Sequence, residues 1–121
     1  VRLTPGLIML CLGVLRPISY LERLTDDEKV IGECLRAAVE GPFFPEWEFQ
    51  TLLGLSRAEV AAELATWPAT GSPEDQDLAV NNALNNHLTY PHRQWAEWPK
   101  YISVSEDEVD AVFARWRAAN K

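Results

Sequence analysis

From residue 25 onward, apolar positions recur every three or four residues, the period of helices that bury one face. Val30, Ile31, Cys34, Leu35, Ala38 and Val39 make the first stripe. Thr25 with Glu28 forms a capping box ahead of it, Asp26 and Asp27 suit the positive helix end, and Gly41-Pro42 stops it. Pro45 opens a second helix that carries Trp47, Phe49, Leu52 and Leu53 up to Gly54. Ser56 with Glu59 is a second capping box, and it precedes Val60, Ala61, Leu64 and Trp67 on one face, with Pro68 as the stop. Ser72-Pro73-Glu74-Asp75 supplies a cap, a first-turn proline and two acids to a helix running to Leu88. Tyr90-Pro91 breaks that helix, residues 92–99 suit one short turn, and 101–104 read as extended. Ser105 with Glu108 is a third box, and Val109, Val112, Phe113, Trp116 and Ala119 form the last stripe. The pattern predicts an all-α fold: a single domain over 1–121, a compact bundle of about five helices. A minor strand is expected at 7–20 or 101–104.

The N-terminus departs from this pattern. Residues 7–15 (LIMLCLGVL) are continuously apolar and follow Arg2. The run is well short of the ~20 residues a spanning helix needs. It has the length of a signal-peptide core, but Arg16-Pro17 follows directly and no small-x-small cleavage site is present. Three readings stand: a buried core element, a start-site artefact with Met9 as the true start, or an export signal.

Composition narrows the function classes. An apolar content of 47% is too high for disorder, and a mean hydropathy of −0.17 is too low for a membrane protein. Cys11 and Cys34 make no disulfide framework and no Cys-x-x-Cys pair, which fits a reducing, cytoplasmic setting, with one Cys11–Cys34 bridge as the alternative. The net charge is −7, from 11 Lys and Arg against 18 Asp and Glu. It is uneven: residues 1–24 carry Arg2, Arg16 and Arg23 against Glu22, net +2, which leaves −9 for the remainder. Nucleic-acid binding needs a basic face for phosphate, so a basic protein partner suits this charge better.

Residues 49–64 (FQTLLGLSRAEVAAEL) hold a helix ending in Leu53-Gly54, a turn with Leu55, and a helix capped by Ser56. This stretch resembles the helix-turn-helix units of bacterial transcription regulators, with matches at Phe49, Leu53, Gly54, Leu55 and Val60. The resemblance implies a helix-turn-helix-like corner at 46–67 whose second helix presents Arg57, Glu59, Ala62, Glu63 and Thr66 to DNA, with Arg57 as the base-reading candidate. Gln50 and Glu63 depart from the family, at positions that usually carry a small and an apolar residue. Two carboxylates beside one guanidinium also oppose phosphate.

Three further groups are candidates. Asn81, Asn82, Asn85 and Asn86 fall on one half of the fourth helix, opposite Val80, Leu84, His87 and Leu88. An amide face there grips a partner, a ligand or the protein's own loops. His87 and His92 are the only histidines, and with Glu97 or Asp77 they offer acid–base chemistry. Their spacing across a Tyr-Pro break is wrong for a helical metal pair, so no metal ligands are assigned. Tyr90, His92, Trp95 and Trp98, beside the asparagines, make the candidate binding surface. Trp67 and Trp116 sit on predicted inner faces and read as core. No phosphate loop, Gly-x-Ser-x-Gly or His-Glu-x-x-His is present, and no cofactor or catalytic residue is assigned. The sequence therefore points to a small acidic protein-binding module, comparable in size and charge alone to immunity and antitoxin proteins. A transcription-associated protein with a degenerate helix-turn-helix is the first alternative. A small hydrolase or ligand-binding protein using His87 and His92 is the second.

Overall fold

The computed structural model describes residues 24–120. Six helices form the described part: α1 (Asp26–Glu40), α2 (Glu46–Leu53), α3 (Arg57–Thr66), α4 (Pro73–Thr89), α5 (Trp98–Tyr101) and α6 (Glu106–Ala119). They pack as an all-α bundle, and no strand occurs among the described residues. The strand expected at 101–104 is absent: Tyr101 ends α5 and Ile102 is a single extended residue buried in the core. The backbone N–H and hydroxyl of Ser103 are spent on the Glu33 carboxylate at 2.8 and 2.9 Å, so nothing there enters a ladder. The alternative at 7–20, the apolar run and Cys11 lie outside the described residues.

Local signals placed the helices. Thr25 and Ser56 close complete capping boxes with Glu28 and Glu59. The box expected at Ser105 is only half formed. Its hydroxyl accepts from the Glu108 N–H, while the Glu108 carboxylate turns to Arg115 at 3.2 Å. Gly54 takes φ 77°, the left-handed cap that lets the chain turn sharply between α2 and α3. At Gly41 a Cβ would stand 2.7 Å from the Ala37 carbonyl, so only glycine lets α1 end where the following aromatic turn begins.

α1 and α4 form the centre. α3 runs back along α1: Arg57 reaches the carbonyls of Ala38 and Val39, and the Trp67 indole reaches that of Glu28. α6 also runs back along α1, with Ser103 at Glu33 and Arg115 at Asp27. α2 lies antiparallel to α4, joined by Tyr90 to Glu48 and Asn82 to Leu53. Cys34, Leu35, Ala37, Ala38, Val60, Ala79, Val80, Ala83, Leu84 and Val109 are fully buried where these helices meet. The alanines let the backbones of α1 and α4 approach closely.

Candidate functional site

The chemistry-bearing residues gather at the end of the bundle where α1 and α4 finish. The turn at 41–45 delivers Phe43 and Phe44 into this end, both almost fully buried. Phe43 is the hub. Edge-on contacts join its ring to His87 (5.1 Å), His92 (5.1 Å), Tyr101 (5.8 Å) and Trp98 (6.3 Å). Phe44 meets His87 at 4.9 Å and Tyr90 at 5.8 Å. Edge-to-face geometry sets positive ring edges against negative faces, so the cluster gains beyond the area it buries.

Both histidines are inside it, at 0% and 7% exposure. His87 therefore belongs to the core, and the loop position of His92 does not expose it. Nε2–H of His87 donates to the Cys34 carbonyl at 2.8 Å, which leaves the Nδ1 lone pair enclosed and without a partner. Burial pushes the His87 pKa down to about 4, against a smaller upward pull from the Cys34 carbonyl. Nε2–H of His92 donates to the His87 carbonyl at 3.1 Å, and its Nδ1 accepts the Gln94 N–H at 2.9 Å. Neither imidazole is hydrogen-bonded to a carboxylate among the described residues. Glu97 pairs instead with Lys100, and Asp77 lies on an open groove with Leu78, Asn81, Trp116, Arg117 and Asn120. The acid–base assembly posed for His87 and His92 is thus not brought together. The same two rings form part of an aromatic plug around Phe43.

The asparagine face divides. Asn82 donates to the Leu53 carbonyl at 2.8 Å, and Asn86 donates to Leu52 at 3.0 Å and to Asn82 at 2.8 Å. These two side chains satisfy carbonyls that the end of α2 leaves unpaired. Asn81 bonds Asn82 and borders the groove, and only Asn85 is exposed. The amide face is mainly a clamp on α2.

Tyr90 is half-buried, and its hydroxyl donates to the Glu48 carboxylate at 2.6 Å, a bond that raises the phenol pKa. Trp98 is buried and donates to the Val104 carbonyl. Of the expected aromatic surface, Trp95 alone is open, at 46% exposure, tilted against His92 at 4.6 Å and Trp98 at 5.2 Å. The most exposed tryptophan is Trp47, 81% exposed on α2, which the expected surface of Tyr90, His92, Trp95 and Trp98 did not include. Its position was legible. Phe49, Leu52 and Leu53 define the inner face of α2, and Trp47 lies two residues before Phe49, on the opposite side of a helix.

Arg57 is not aimed outward. Its Nη1 donates to the Ala38 and Val39 carbonyls at 3.0 and 2.7 Å, Nη2 to Phe44 at 3.1 Å, and Nε to Glu46 at 2.8 Å. The guanidinium also lies 4.2 Å over the Phe49 ring. It ties the start of α3 to the end of α1 and to the aromatic turn. α3 carries no other cation. Glu63, expected on the outer face of that helix, is 8% exposed and accepts the Thr70 hydroxyl at 2.6 Å, which holds the 67–72 loop. Cys34 is a fully buried free thiol whose pKa burial pushes up, so it is unreactive.

No group of three or more His, Cys, Asp and Glu residues that could hold a metal ion occurs among the described residues. No helix among them is long and apolar enough to cross a membrane. No protein-family model, curated protein or solved structure matches this chain.

Proposed function

We propose that the chain is a protein-binding module that engages a basic partner through the outer face of α2, with Trp47 as the anchor. The observation that carries this reading is a tryptophan 81% exposed on a helix, with no ring or hydrogen-bond partner among the described residues. An indole held in water is costly, and burying it in a partner returns that cost as affinity. α2 is a firm platform, because Asn82, Asn86 and Arg57 pin both its ends. Glu46 precedes Trp47, and its side chain is 80% exposed. A partner's Arg or Lys can therefore lie on the indole face beside a carboxylate. The net charge of −7 favours encounter with such a partner. Trp95 is the second open aromatic, on the loop that leaves the Tyr90–Glu48 contact. In size and charge such a module is comparable to acidic immunity and antitoxin proteins, and it would act in the cytoplasm.

The test is affinity capture from the native host's lysate with wild-type and Trp47→Ala baits, followed by quantitative mass spectrometry. A basic protein retained by wild type and lost by at least roughly thirtyfold with the variant supports the reading, since a hot-spot tryptophan contributes about 2 kcal/mol or more. Urea unfolding of the variant should stay within about 0.5 kcal/mol of wild type, because an exposed side chain is removed. Identical captured sets for the two folded baits would remove Trp47 as the anchor.

A further inference from the structure

The turn leading into Trp95 is closed by a bond, from the Gln94 N–H to His92, that exists in only one protonation state of His92. A carbonyl can only accept, so the His87 carbonyl requires a proton on Nε2 of His92. The Gln94 N–H can only donate, so it requires a bare Nδ1. Only the neutral Nε2–H tautomer meets both demands. Arg93, between the two residues, sits at φ 57°, a left-handed conformation that side-chain-bearing residues avoid unless the surroundings hold them there. The Trp95 ring then closes over His92 and Trp98.

We propose that His92 is an acid-sensitive latch: its protonation sets Nδ1–H against the Gln94 N–H, frees the turn at Arg93, and carries Trp95 off the bundle into solvent. The surroundings offer the cation no rescue by charge. α4 brings His87, whose ring is committed to Cys34, and the chain just after it brings Tyr90, committed to Glu48. The 41–45 turn brings Phe43 and no titratable side chain, and Tyr101 of α5 meets Phe43 at 5.8 Å without a hydrogen bond to His92. On its own loop stand Arg93, of like charge, and Glu97, paired with Lys100 at 3.1 Å. No described carboxylate forms an ion pair with His92. His87 stays neutral at mildly acid pH, so the opening is local to the 93–97 turn. If the binding reading holds, the latch governs its second aromatic, but the latch does not depend on that reading.

The experiment is an NMR titration of the ¹⁵N-labelled full chain from about pH 7.5 to about pH 5, the range in which imidazoles titrate. The Trp95 indole is assigned with Trp95→Phe, and helix content is followed by circular dichroism. The expected result is a roughly tenfold or greater loss of Gln94 amide protection, corrected for intrinsic exchange, together with movement of the Trp95 indole resonance and unchanged helix content. His92→Asn retains an acceptor near Nδ1 without a titrating proton, and it should stay closed throughout. Should that variant not fold, the wild-type Gln94 and Trp95 signals decide alone. The proposal fails if those signals do not move in wild type, if His92→Asn moves with them, or if helix is lost at the same pH.

Discussion

His87 should make the fold acid-labile in a defined window. Its folded pKa is about 4 because burial disfavours the imidazolium, while an unfolded histidine titrates near 6.5. Above about pH 6.5 both states hold the ring neutral and stability is at its full value. Between 6.5 and 4 the unfolded chain binds a proton that the folded chain refuses, so stability falls with pH, and below 4 the loss is complete. At about 1.4 kcal/mol per pH unit across that gap, the loss is roughly 3 kcal/mol. Asp27 does not blur this window. The hydrogen bond from Arg115 holds its carboxyl below the usual range, so its stabilising contribution disappears only at more acid pH. The assay is urea unfolding followed by circular dichroism at about pH 7, 5.5 and 4, for wild type, His87→Gln and His87→Leu. Glutamine can still donate to the Cys34 carbonyl, and leucine fills the space without a proton site. Both variants start less stable, but wild type should lose roughly 3 kcal/mol more than either between pH 7 and pH 4. The ionisable groups other than His87 are common to all three proteins and cancel in the difference. Parallel pH profiles for wild type and both variants would refute the reasoning.

Two other changes probe the structure that supports the site. Arg57→Lys replaces a fork that reaches three carbonyls with a single ammonium, and should cost about 2–3 kcal/mol by chemical denaturation. A loss below about 0.5 kcal/mol would mean that those carbonyls find water. Asn82→Ala should cost about 1–2 kcal/mol and speed hydrogen exchange at the end of α2, because the Leu53 carbonyl loses its donor. Unchanged exchange there would show that Asn82 is not what closes α2.

Much of the fold was readable because helices declare themselves locally. Capping residues, first-turn acids and the apolar period lie within a few residues of one another, so the limits of α1, α3, α4 and α6 followed from adjacent side chains. The four-residue helix α5 was less legible, because its residues are held by Phe43 and the Val104 carbonyl rather than by a periodic stripe of their own.

The site was harder to read, since polar side chains take their meaning from distant partners. Four asparagines on one helix face read as a surface, yet Asn82 and Asn86 turn inward because α2 ends beside them, 29 and 34 residues away in the chain. Arg57 begins a helix whose sequence alone suggested a base-reading role, yet three carbonyls from outside its own helix absorb its guanidinium. His87 shares the apolar face of α4 with Val80 and Leu84, so its burial was legible, whereas His92 follows a Tyr-Pro break and only packing against Phe43 makes it a core residue. Trp47 is the converse case. The apolar period already turned it away from the core, but five tryptophans in an apolar-rich chain hid the one most open to water. The sequence by itself determined an acidic all-α bundle and its main helix limits, because those depend on interactions a few residues long. Only the tertiary structure decided which polar groups are consumed inside the protein and which aromatic rings are left for a partner. That depends on where unpaired backbone carbonyls and ring faces from remote segments come to lie.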